Sequence, residues 1–138
     1  MVVRYNTNGT LDTTFNGTGV TAIPTPSISG GYSGSRVALY TAADGSQKIV
    51  EGLGAGTWNA PADFGLAQLN ADGTLDASFG GTGVVIQDLN AGQMDQLRGI
   101  AIAQLADGPR IYATGIAQRA SVDTITARFR VDGTLDTV

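Results

Sequence analysis

Apolar and polar residues alternate in short stretches along this chain, and clusters of Gly, Asp, Asn, Thr and Ser separate the stretches. Alternation of period two over four to eight residues marks a half-buried β-strand. Residues 36–41 (RVALYT) and 48–53 (KIVEGL) predict two such strands. Asp44-Gly45 lies between them, a pair that tolerates the positive φ of a hairpin turn. A long glycine-rich loop holding Trp58 and Pro61 follows, then a third strand over 64–69 and a fourth over 84–89. The pattern returns at 99–104, 110–116 and 125–131. The chain opens in the middle of such a unit, with strands at 2–5 and 20–23. The reading is nine strands, grouped as two, four and three.

The turns between strands repeat as well. "NTNGTLDTTFNGTGV", "NADGTLDASFGGTGV" and "RVDGTLDTV" align without gaps. They equate Gly9, Gly73 and Gly133; Leu11, Leu75 and Leu135; Asp12, Asp76 and Asp136; and Phe15 with Phe79. A second phrase, "SRVALYTAADGSQKIVEGLG", recurs as "LRGIAIAQLADGPRIYATGI" and equates Gly52 with Gly115. A period near sixty residues marks a repeat architecture, in which each unit shares its core with the next. Four-stranded units repeated about an axis make a β-propeller. The predicted fold is therefore all-β and propeller-like. Residues 1–34 form a partial blade, 35–96 a complete unit and 97–138 an incomplete one. Two units cannot close a ring, so copies of the chain, two or three together, are the expected partner that completes the sheets.

Composition narrows the chemistry. Of the 138 residues, 42% are hydrophobic, enough for a packed core. Only 14% are charged, so the polar surface must come from Thr, Ser, Asn, Gln and Gly. Net charge is −4 and the basic residues are scattered, which argues against nucleic acid as a partner. No apolar run approaches the ~20 residues of a membrane-spanning helix. With no Cys and no His, the chain alone can build no Ser-His-Asp triad, no thiol nucleophile and no structural zinc site. No cofactor is called for. A carboxylate-pair glycosidase needs neither residue, but nothing in the spacing selects Glu51 with Asp63 or Asp123 as such a pair. The expectation is a protein that is not an enzyme.

In these same phrases the chain resembles the bacterial delta-sixty repeat. "LAQLNADGTLDASFGGTGVV" carries that family's Asp-Gly-(Ser/Thr)-Leu-Asp-x-(Ser/Thr)-Phe-Gly pattern. "DGSQKIVEG" and "DGPRIYATG" resemble its second half. Gln68 stands where the family has Arg, and Asn16 where it has Gly. The resemblance implies a propeller-like fold and a large, often secreted or surface-associated bacterial parent protein, although no signal peptide is visible here. It implies no particular activity.

Three candidate sites remain. The recurring phrase reads first as structure. Asp72-Gly73 makes a turn, Asp76 caps the next one, and Leu75 and Phe79 fill space between units; Gly9, Leu11, Asp12, Phe15, Gly133, Leu135 and Asp136 do the same in the other copies. A calcium loop is the sharper reading, with Asn70, Asp72 and Asp76 as ligands, but the glycine comes too early and only two carboxylates are present. The third candidate is a carbohydrate or other polar-ligand site around Trp58, with Asn59, Asp63 and Tyr32, since an aromatic face flanked by amides suits a sugar.

Overall fold

The computed structural model describes residues 1–24, 36–55, 63–118 and 121–137. Every regular element among them is a β-strand. In chain order these are β1 (Val2–Val3), β2 (Val20–Thr21), β3 (Arg36–Thr41), β4 (Gln47–Ala55), β5 (Asp63–Asn70), β6 (Val84–Gln87), β7 (Met94–Leu105), β8 (Gly108–Gln118) and β9 (Val122–Arg130). They form three antiparallel sheets of two, four and three strands, each ordered as in the sequence: β1-β2, β3-β4-β5-β6 and β7-β8-β9. Successive meandering sheets of this kind, stacked face on face, are the propeller arrangement that the alternation predicts.

Strand ends differ from the sequence reading where side chains intervene. The strand expected over 84–89 stops at Gln87 because the Asp88 carboxylate accepts the N–H groups of Asn90 and Gly92 and turns the chain. β7 begins at Met94, five residues before the expected start. A bulge between Leu97 and Gly99 lets the strand continue through a break in its alternation. β1 is shorter than expected, but Tyr5 bridges back to Leu11, as Leu69 does to Leu75 and Phe129 to Leu135.

The main core lies between the second and third sheets. Tyr40, Val50, Phe64, Leu66 and Phe79 pack there against Leu97, Ile111, Ala113 and Phe129. A smaller core joins the first two sheets through Val2, Phe15 and Leu69. Gly52 and Gly115 are not structural equivalents, although the sequence aligns them. The β3–β4 and β7–β8 hairpins differ in length, so Lys48 pairs with Asn70 where Arg110 pairs with Arg130. A one-residue offset sends side chains to opposite faces. Both glycines end in the same interface, from its two sides. A Cβ on Gly52 would meet the Leu97 side chain at 2.7 Å, and one on Gly115 would meet the Phe64 ring at 2.9 Å.

Candidate functional site

The recurring phrase folds the same way three times. Asn8, Asp72 and Asp132 each accept the backbone N–H and the hydroxyl of the Thr two residues on. The glycine between them holds φ of +84°, +89° and +87° at Gly9, Gly73 and Gly133, a region that side-chain-bearing residues avoid. The second aspartate then organises the following turn. Asp12 accepts from Thr14 N and Oγ1, and Asp76 from Ser78 N and Oγ.

The other oxygen of that aspartate meets a cation. Arg4 Nε donates to Asp12 Oδ2 at 2.7 Å, Lys48 Nζ to Asp76 Oδ2 at 2.7 Å, and Arg110 Nε to Asp136 Oδ2 at 2.9 Å. Arg128 and Arg130 also pair with Asp136. Two positions recur among these groups, one on the third strand of a unit (Arg4, Arg128) and one on the second (Lys48, Arg110); Arg130 adds a third, at the place of Asn70. In the middle unit Gln68 takes the third-strand position. Its Nε2 donates to Asp76 while its Oε1 accepts the Tyr40 hydroxyl at 3.0 Å. The substitution is tolerated because Lys48 already carries the charge. Burial opposes the charged form of Asp76, yet the donors Lys48, Ser78 and Gln68 outweigh it and hold its pKa far below the carboxylate range. Thr14 and Arg4 lower that of Asp12, and Arg110 leads in lowering that of Asp136. Burial first, and then the Asp76 charge, push the Tyr40 hydroxyl up to about 12.

These contacts bear on the calcium candidates. Asn70 Oδ1 and Asp76 Oδ2 both accept from Lys48 Nζ at 2.7 Å, and Asp72 turns to its own Thr74. The cation held by Asn70 and Asp76 is thus the lysine's own. Trp58, Asn59 and Tyr32 lie outside the described residues. Asp63, at the start of β5, stands apart from the recurring turns. Its carboxylate meets those of Asp88 and Asp95, with one oxygen of each within 4.8 Å of the others. This is the one group of three or more carboxylates among the described residues close enough to hold a metal ion. Asp88 and one oxygen of Asp95 also accept backbone N–H groups of the turn between β6 and β7. Burial, and then the charges of Asp88 and Asp95, raise the pKa of Asp63. The register sets Glu51 four residues along the strand from Ala55, the partner of Asp63, about 13 Å at strand rise. Asp123 is exposed on β9.

Sequence reasoning missed the two second-strand cations and the Asp88–Asp95 grouping. Lys48 and Arg110 were legible in principle, since each follows an Asp-Gly turn by two or three residues. Asp63, Asp88 and Asp95 share no spacing that would have joined them.

Asn16, standing in place of a glycine, takes φ +51° and donates its side-chain amide to Val20 O. Asparagine is one of the few residues that accept this conformation.

One domain-family sequence model, described as a domain of unknown function (DUF5122) beta-propeller, matches residues 2–15 and 53–79. Those two segments contain the first and second copies of the turn as far as Phe15 and Phe79. No curated protein and no solved structure matches the chain. Sheet order, packing and this partial match agree on an all-β segment of propeller type.

Proposed function

We propose that the chain is a structural interaction module without catalytic activity, a delta-sixty-type propeller segment that associates with copies of itself, two or three together. One observation carries the reading. Val37 and Leu39, on the face of β3 turned away from the main core, are 56% and 62% exposed. Their counterparts on β7, Ile100 and Ile102, are half-buried against the main core. Apolar strand faces left uncovered favour association, because burying them removes apolar surface from water.

Light scattering on the eluting protein at micromolar concentration tests it. A dimer or trimer is expected, and Leu39→Asp should yield a monomer with unchanged β circular dichroism. A wild-type chain that elutes as a monomer would remove the proposal.

A further inference from the structure

At each junction between units, one copy of the turn seats its phenylalanine on the glycine of the next. The Phe15 ring lies against Gly73 of the next copy, so close that a Cβ there would sit 2.8 Å from it. Beside it, Asn16 N donates to Asp72 O at 2.6 Å. The second junction repeats this. Phe79 lies against Gly133, and Gly80 N donates to Asp132 O at 2.8 Å. Thr21 and Val85 hold equivalent places. Thr21 Oγ1 donates to Gly73 O, and the Val85 side chain would meet a Cβ on Gly133 at 2.7 Å.

The first copy has the same seat, with no described residue in it. A Cβ on Gly9 would meet no atom within 4 Å. Asn8 stands in the place of Asp72 and Asp132, and no described backbone N–H donates to its carbonyl. Tyr5 is 61% and Leu11 43% exposed. Their counterparts Leu69 and Phe129 are fully buried, and Leu75 and Leu135 half-buried. Charge is incomplete in the same place. Asp76 and Asp136 receive a second-strand cation, Lys48 or Arg110, whereas among the described residues Asp12 receives only the third-strand Arg4. β1 has no described neighbour on the edge where β4 flanks β5 and β8 flanks β9.

We infer that Tyr5, Asn8, Gly9 and Leu11 form a docking seat for the phenylalanine turn of another repeat unit, and that Asp12 receives a Lys or Arg from a second-type strand, the counterpart of β4 and β8, laid beside β1. The occupant is not a folded second copy, because all four phenylalanines of this chain are fully buried. The seat is distinct from the Val37–Leu39 face, and self-association through that face can stand or fall without it.

An extended chain tests this. A duplicate of residues 61–124 placed before Met1 brings a Phe79 turn and an Arg110 strand into register with the first copy. Hydrogen exchange is then read at Gly9, Thr10 and Leu11. Exchange there should slow about tenfold or more relative to the unextended chain. Phe79→Ala made only in the added segment should abolish most of that protection. Equal exchange with and without the extension overturns the inference. So does protection of the same amides when the unextended chain is merely concentrated, since a second copy would then fill the seat.

Discussion

The two faces of the middle sheet are built alike and end differently. Toward the third sheet, Tyr40, Val50, Phe64 and Leu66 are all buried. Toward the first, Leu69 is buried under Val2 and Phe15, but Val37 and Leu39 stand in solvent. The strands supply apolar residues to both faces. What differs is the neighbour: three strands stand on one side and two short ones on the other. Burial in a stacked-sheet protein is thus a property of the junction as much as of the strand that supplies the side chain.

Substitutions on the two faces should separate accordingly. Phe79→Ala should cost about 3–5 kcal/mol in urea unfolding, because it empties a filled site between packed sheets. Leu39→Ala should cost under about 0.5 kcal/mol under dilute, monomeric conditions. Similar losses for the two would show that the faces are equally covered in solution.

Asp76→Asn comes next, at about 2–3 kcal/mol near neutral pH, since it leaves the half-buried Lys48 ammonium without its carboxylate. The pH dependence has a definite sign. The folded-state pKa of Asp76 lies below the unfolded value of ~3.9, so its contribution is complete above about pH 5. It is lost as pH falls through the unfolded value toward the folded one. The variant should show a flatter acid limb there, and an unchanged limb would count against the ion pair as its source.

A smaller effect than at Asp76, and one of opposite sign, is expected at Glu51, which is buried on β4 where β8 has Ala113. Burial raises its pKa, and the N-terminal ammonium, 3.7 Å from Oε1, opposes the shift. No described group bonds to Oε2. A raised carboxylate pKa destabilises the fold at neutral pH, and the penalty fades as pH falls through the folded pKa. Glu51→Ala should therefore gain about 1 kcal/mol at pH 7 and lose that advantage near pH 4, as read from urea midpoints. A difference that persists unchanged at pH 4 would assign it to packing.

The strands and their grouping were legible because alternation and glycine-rich turns are local signals, and β3 begins and ends where its pattern does. The fold's repeat was legible from Gly73, Leu75 and Asp76 and their copies. Less local features were hidden. The role of Lys48 depends on a pairing that sets it opposite Asn70. The bulge at Leu97–Gly99 interrupts the alternation that would have extended β7. The grouping of Asp63 with Asp88 and Asp95 depends on how β5, β6 and β7 come together, which no spacing encodes. Of the proposed ligand site around Trp58, only Asp63 falls among the described residues.

The coupling of Phe15 to Gly73 and of Phe79 to Gly133 constrains how such a gene can grow. An insertion or deletion of one whole period carries a ring and the place that receives a ring together, so every internal joint survives. A change of any other length strands one of them. Duplication in steps of about sixty codons is the route this geometry leaves open, and it accounts for the way the turn is copied as an intact phrase while the loops between copies drift.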